Sequence, residues 1–184
     1  MAKRKISKDA VVAEQSETKQ SENMRELAVP VSQKVQIVDV KVNAVSAKKL
    51  SSQVSEASEV TVEFQCKTIA EDSLVRVTVN AEVYVTDDAD QRFLEVISEH
   101  ELLYSTPPNE YFAENNLEAF GTLNGMYNLW PYLRELVQSM TIRIGMPPLT
   151  LPVFRPTGQR INKMVGRVKA SNLPNKKSTR KKSK

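Results

Sequence analysis

The sequence predicts an α+β fold in which a four-stranded antiparallel sheet, arranged as a meander, is followed by helices. Between residues 31 and 105, apolar and polar residues alternate in four runs separated by short polar connections. This pattern is typical of half-buried antiparallel strands joined by tight turns. After residue 109 the apolar residues recur every three or four positions, which is the repeat of a helix. A length of 184 residues is enough for one domain with a substantial core.

The four strand-like runs occupy residues 31–49, 59–70, 74–85 and 92–105. In the first run the alternation changes phase near Ile37 and Val38, which predicts a bulge or a strand buried on both faces. The third run alternates apolar residues with polar ones along its length, so it predicts a sheet with one face on the core and one in water.

Two helices are predicted after the sheet. Asn109 is the expected N-cap of the first, which covers residues 110–123 and weakens at its glycines. Asn128 is the expected cap of a longer second helix, with Pro131 in its first turn and Gly145 at its end. Apolar residues surround this second helix almost completely, so we expect it to lie between its own sheet and another subunit.

The ends of the chain differ in composition from its middle. We predict a disordered charged arm at residues 1–29, a folded domain at 30–156 and a basic, mostly disordered tail at 157–184. Residues 31–154 hold nine Lys or Arg and seventeen Asp or Glu, whereas residues 155–184 hold eleven cations and no anion. The net charge of +4 therefore hides an acidic body with a cationic tail, in which residues 161–168 have the weak apolar pattern of a short basic helix.

No motif of an enzyme, a metal site or a cofactor site occurs in the sequence. Metalloprotease, phosphate-loop, paired-cysteine and nucleophile-elbow patterns are all missing, so we predict no catalytic residue, no metal ligand and no cofactor. The single cysteine, Cys66, suits a reducing cytosol, and the basic N-terminus lacks the apolar core of a signal peptide. With no run of about 18 apolar residues, we expect a cytoplasmic protein without membrane insertion.

Three stretches resemble the SecB family of chaperones. Residues 74–79 (LVRVTV) look like the central strand of that family, and residues 128–140 (NLWPYLRELVQSM) are similar to its long-helix motif. Arg143 and residues 148–152 (PLTLP) then resemble the stretch that follows the helix. The resemblance covers about residues 31–156, and the helix motif is its most specific part.

The resemblance implies an ATP-independent holdase that binds unfolded polypeptides in a hydrophobic groove. Such grooves need apolar breadth and adaptable side chains. The residues implied for the groove are Phe64, Tyr84, Phe93, Tyr104, Leu149, Leu151 and Phe154. The resemblance also implies a homotetramer, in which dimers that extend their sheets pack through the long helices. The residues implied for this interface are Tyr127, Trp130, Leu133, Val137 and Met140.

Three alternatives stay open on the sequence. An export role implies unfolded preproteins as clients and the SecA motor as a partner. A branch of SecB-like proteins instead protects an unstable antitoxin, and the PLTLP segment looks like that branch. The alternative from a different class is a nucleic-acid-binding protein that acts through the basic tail, with an affinity that falls steeply with salt.

Overall fold

The computed structural model describes residues 23–51, 57–87, 89–154 and 163–169. These residues form a five-stranded antiparallel sheet with the strand order β1-β4-β3-β2-β5. The strands are β1 (Gln36–Lys49), β2 (Ala57–Glu71), β3 (Leu74–Thr86), β4 (Arg92–Ser105) and β5 (Lys163–Lys169). Helices cover one face of the sheet, so the predicted α+β class is confirmed.

One connection of the predicted meander is wrong. Strands β2, β3 and β4 are joined by consecutive hairpins, but β1 pairs with β4 instead of β2. In this register the apolar Val40 lies opposite Leu102, and Val42 lies opposite His100. The first of two register shifts in this ladder falls between Ile37 and Asp39, which confirms the predicted bulge.

The helical segments that follow β4 join into one nearly continuous helix. Residues 23–32 are helical (α1), and after β4 the chain forms α2 (Glu114–Phe120), a π-helical segment (Gly121–Gly125) and α3 (Met126–Arg143). The two glycines do not end a helix, because the backbone keeps helical dihedral angles from α2 into α3. At the other end, Gly145 has a φ of +74° and terminates α3 as predicted.

Both predicted N-caps are wrong. Asn109 has a φ of +61° in a turn, and α2 begins only after Ala113. Asn128 lies inside α3, where its side-chain amide donates a hydrogen bond to the Tyr104 hydroxyl over 3.1 Å. The continuous helical backbone leaves no helix start at residue 128 for a side chain to cap.

The core lies between the sheet and the helices. The odd-numbered residues of β3 face it, and four of its valines are fully buried: Val75, Val77, Val79 and Val83. Helix α3 contributes a stripe along one side, formed by Met126, Leu129, Leu133, Val137 and Thr141. The spacing of three or four residues along this stripe is what an amphipathic helix needs to pack on a sheet. None of the helices in the described ranges is long and apolar enough to cross a membrane.

Order extends further toward both ends of the chain than the sequence predicts. Residues 23–29 of the expected disordered arm belong to α1, which buries Ala28 and Val31. The expected short basic helix of the tail is wrong over Lys163–Lys169, because this segment obtains its backbone partners by pairing with the edge of β2. Residues 1–22 and 170–184 lie outside the described residues, and the division into arm, domain and tail stays a prediction.

Candidate functional site

An extended segment after α3 is fixed against that helix at two points. We call this segment, Met146–Phe154, the strap. The backbone N–H of Leu149 donates to the Thr141 hydroxyl over 3.1 Å, and the indole Nε1–H of Trp130 donates to the carbonyl oxygen of Pro152 over 2.9 Å. The Trp130 and Phe154 rings also pack with their centroids 5.2 Å apart. The strap is therefore held in place by α3.

The predicted groove residues do not line one open groove in this structure. All seven side chains are buried, and they lie in different parts of the fold. Leu149, Leu151 and Phe154 belong to the strap, whereas Phe64 and Tyr104 lie on the helix-covered face. Two others lie apart from these, with Tyr84 on the opposite face of the sheet and Phe93 at the register shift that begins β4. A client groove at these positions stays a prediction, and it requires a rearrangement that exposes them.

Tyr104 shows how firmly one of these positions belongs to the core. Its ring meets the edge of Phe120 with a centroid distance of 5.0 Å, and its hydroxyl accepts the hydrogen bond from Asn128. Burial raises the pKa of the Tyr104 hydroxyl, while the hydrogen bond from Asn128 acts in the opposite direction. The phenol is therefore neutral and acts as a fixed link between β4 and α3.

Three of the five predicted interface residues are buried within their own chain. Trp130, Leu133 and Val137 are buried within one chain, so in this conformation they are not free to contact another subunit. Tyr127 is 65% exposed, and Met140 is half-buried. The apolar stripe that predicted an interface is thus largely the stripe that packs α3 on its own sheet.

Sequence reasoning missed the exposed apolar residues of β1. We call them the β1 edge surface: Ile37, Val38, Val42 and Val45. Each is exposed by more than 40%, and among the described residues β1 is the last strand on its side of the sheet. The signal was present in the doubled apolar alternation of the first strand run, and the register shifts bring Val42 and Val45 to the same face as His100 and Ser98. Tyr132 and Ile142 on the outer side of α3 and Val153 of the strap are exposed as well.

The sheet face away from the helices is polar. Arg92 forms ion pairs with Glu82 and Glu95, and its guanidinium lies 3.7 Å from the centre of the Tyr84 ring. The Tyr84 hydroxyl donates to Glu63 over 3.1 Å. An open cavity of about 480 Å³ lies beside this network. Its lining comes from β2, β3 and β4, with Glu63, Phe64, Gln65, Asn80, Ala81, Glu82 and Ile97.

A second, smaller cavity lies between α1 and the start of α3. It measures about 270 Å³, and Ala28, Val29 and Tyr127 contribute its apolar walls. Since Val29 and Tyr127 are exposed, it is a shallow groove on the surface.

The two side chains best suited to nucleophilic chemistry are not arranged for it. Burial raises the pKa of the Cys66 thiol to about 12, so the thiol is protonated at neutral pH and is a weak nucleophile. Val79 lies opposite both Cys66 and His100, which sets these two residues two strands apart, about 10 Å. Within the described residues, no group of three or more His, Cys, Asp or Glu is placed to hold a metal ion.

The fold matches that of a solved SecB-like chaperone, which bears out the resemblance seen in the sequence. A solved structure of the SecB-like chaperone Rv1957 of Mycobacterium tuberculosis, in complex with a ChAD peptide from the Rv1956 HigA1 antitoxin, matches with a TM-score of 0.65. The match covers 72% of this chain and 99% of that chain at 22% sequence identity.

The sequence match is shorter. The curated SecB-like chaperones Rv1957 and MT2006, from two strains of Mycobacterium tuberculosis, are each 40% identical to this chain over 42 residues. That stretch spans 23% of this chain and 23% of each relative. No family model matches the chain.

Proposed function

We propose that this chain is a chaperone that holds unfolded polypeptide segments without using ATP, and that it binds rather than catalyses. The observation that carries the proposal is the fold shared with the Rv1957 chaperone, which was solved with an antitoxin peptide bound. Exposed apolar residues on β1, α3 and the strap support it, since exposed apolar patches mark sites of protein contact.

The clients we propose are extended apolar segments of unfolded proteins, with an antitoxin as the favoured partner. The antitoxin is favoured because the relative's structure contains a peptide of one. Preproteins delivered to the SecA motor remain the second possibility, and the acidic body of residues 31–154 is the feature that supports it. Both roles place the protein in the cytoplasm.

We propose a homotetramer built as a dimer of dimers. The β1 edge surface supports the first contact, because an edge strand presents unpaired backbone groups that another strand can complete. Tyr132 and Ile142 on the outer side of α3 support the second, since a partner helix would cover them. Light scattering on the purified chain measures the assembly, and a monomer at all concentrations would contradict it.

The decisive test of chaperone function is suppression of aggregation. A chemically unfolded client protein is diluted from denaturant with the full chain at a stoichiometric amount, with and without ATP, and turbidity is followed. We expect equal suppression in both cases. Aggregation unchanged by the chain in either case would contradict the proposal.

A matched pair of variants tests the surface. Val42→Asp on the β1 edge surface should weaken suppression, whereas Gln138→Asp on the exposed side of α3 should not. An adjoining toxin–antitoxin gene pair, with toxicity upon deletion of the chaperone gene, would favour the antitoxin role over the export role.

The nucleic-acid alternative stays a prediction from the tail sequence. Residues 163–169 of that tail pair with β2, so for this part of the tail the structure favours a protein contact.

A further inference from the structure

We propose that the outer edge of β2 is a binding site for an extended basic segment, and that β5 is its resident occupant within the chain. Strand β5 pairs antiparallel with β2 from Ala57 opposite Lys169 to Glu63 opposite Lys163. A strand added to a sheet edge gains affinity from main-chain hydrogen bonds and specificity from its alternate side chains. The same edge therefore accepts a segment from another protein when β5 leaves it.

The register matches opposite charges at two positions. In the backbone register, Arg167 is the partner of Glu59 and Lys163 is the partner of Glu63, so two basic residues four positions apart are paired with two acidic residues of the same separation. Opposite charges directly across an antiparallel pair stabilise it, and like charges destabilise it. Between these pairs, Val165 lies opposite Thr61. The edge is thus suited to a segment that combines basic and apolar residues.

The free edge of β2 continues past the first residue of β5. Strand β2 extends to Glu71, whereas β5 begins with Lys163 opposite Glu63, so no strand in the described residues pairs with the outer side of residues 64–71. The cavity of about 480 Å³ lies inward from this edge, and β2, β3 and β4 all contribute to its lining. A longer client segment could therefore pair with the free backbone groups on the outer side of residues 64–71.

Strand β5 is well suited to leave the edge of β2 and to be replaced there by a client segment. Strand β5 has seven residues and, within the part of the chain that the structure describes, pairs only with β2, and short edge strands are among the first elements to open. Eight residues, 155–162, join it to the strap, so a displaced β5 remains tethered and competes for the edge. A client segment must bind the edge of β2 more tightly than the tethered β5 does. Competition with β5 therefore excludes segments that pair weakly with β2. The client class rests on the proposed chaperone function, whereas occupancy of the edge by β5 does not.

Hydrogen exchange on the full chain tests the occupancy directly. In Arg167→Glu two glutamates are register partners, and we expect those amides of residues 57–63 that bond to β5 to exchange about tenfold faster, because like charges directly across an antiparallel pair destabilise it. Exchange in β3 should not change. The charge swap Glu59→Arg/Arg167→Glu should restore slow exchange. Unchanged exchange in Arg167→Glu, or no recovery in the swap, would overturn the proposal.

Peptide binding tests the site. The probe is a fluorescent peptide with the sequence of residues 161–171 of this chain, and the control is the same composition in scrambled order. We expect the peptide with the native sequence to bind the Arg167→Glu chain about tenfold more tightly than the unaltered chain. The reason is that the tethered β5, which competes with the peptide for the edge of β2, pairs more weakly in this variant. Equal binding to both chains, or equal binding of the scrambled peptide, would overturn the proposal.

These outcomes are separable from those of the aggregation assay. If the chain suppresses aggregation but Arg167→Glu has no effect on exchange or peptide binding, the proposed β2 edge site is wrong and the proposed chaperone function stands. If Arg167→Glu opens the edge of β2 and the peptide binds there, but the chain does not suppress aggregation, the edge site stands and the proposed holdase function is wrong.

Discussion

The indole N–H of Trp130 donates a hydrogen bond to the carbonyl oxygen of Pro152 over 2.9 Å, and this contact ties α3 to the strap. Trp130 is buried, and its ring packs on Phe154. One side chain thus joins two segments that sequence reasoning had assigned to different roles, an interface helix and a groove. Both belong to the core of a single subunit.

Two substitutions of Trp130 distinguish the stability that its hydrogen bond contributes from the stability that its side-chain volume contributes. Trp130→Phe keeps an aromatic ring but leaves the Pro152 carbonyl without this donor, so we expect a loss of about 1–2 kcal/mol in the free energy of unfolding. Trp130→Ala also leaves a cavity and should cost about 3–5 kcal/mol. Urea unfolding measures both. The control Tyr132→Phe, at an exposed ring of the same helix, should change stability by less than about 0.5 kcal/mol. Equal costs for Phe and Ala would contradict this division.

The π-helical segment approaches β2 so closely that it requires a glycine. A Cβ atom on Gly121 would stand 1.9 Å from the Thr68 hydroxyl oxygen, which is far inside van der Waals contact. We expect Gly121→Ala to lower the free energy of unfolding by about 1–3 kcal/mol, because the helix or the strand must shift. Thermal or urea unfolding measures the change.

A second substitution tests whether that contact is the cause. In Gly121→Ala/Thr68→Ala the hydroxyl is gone, and the nearest remaining atom, the Cβ of residue 68, lies 3.3 Å away. The double variant should recover most of the lost stability, and Thr68→Ala alone should be nearly neutral. Additive losses in the double variant would show that the cost of Gly121→Ala has another origin.

Local pattern and tertiary context explain which parts of the fold could be predicted. The alternation in β3 and β4 located both strands because it reports directly which side of a sheet meets water. It carries no information on which strand lies beside which, so the pairing of β1 with β4 was missed. Asn128 has the side chain of a helix cap, but the helix continues through the glycines before it.

The candidate site was harder to predict for a physical reason. An apolar stripe on a helix looks the same whether it packs on its own sheet or on a second subunit, so Leu133 and Val137 were assigned to an interface. Buried aromatic residues such as Tyr104 likewise look the same in a core and in a groove. The β1 edge surface became visible only when the strand order showed that β1 has no neighbour on its outer side within the described residues.

The Cys66 thiol should be slow to react in the folded protein. Burial raises its pKa from 9.0 to about 12, so its thiolate fraction at neutral pH falls about a thousandfold. Alkylation by iodoacetamide at pH 7.5, followed by mass spectrometry, should be slower than about 1% of the rate for a free thiol. Alkylation in urea should return to the ordinary rate. Rapid alkylation of the native chain would contradict the desolvation of this half-buried thiol on the helix-covered face.

Stability should fall in mild acid because of His100. This side chain is fully buried beside Ser98, whose hydroxyl oxygen lies 2.9 Å from its Nε2 atom, and burial lowers its pKa below the ordinary 6.5. Between the lowered value and 6.5, the unfolded chain binds a proton that the folded chain does not. The free energy of unfolding therefore decreases as the pH falls through this window, by up to about 1.4 kcal/mol per pH unit for one proton. Above pH 6.5 this group makes no pH-dependent contribution.

Comparison with a variant isolates the contribution of His100 from that of the carboxylates. His100→Gln keeps an amide that can hydrogen-bond to Ser98 but cannot take up a proton in this range. Urea unfolding at intervals from pH 7.5 to pH 5 should give a steeper loss of stability in the unaltered chain than in His100→Gln, with the difference confined to pH values below about 6.5. Parallel curves for the two proteins would show that His100 has the same proton affinity in the folded and unfolded states, and its burial beside Ser98 would then have no electrostatic consequence.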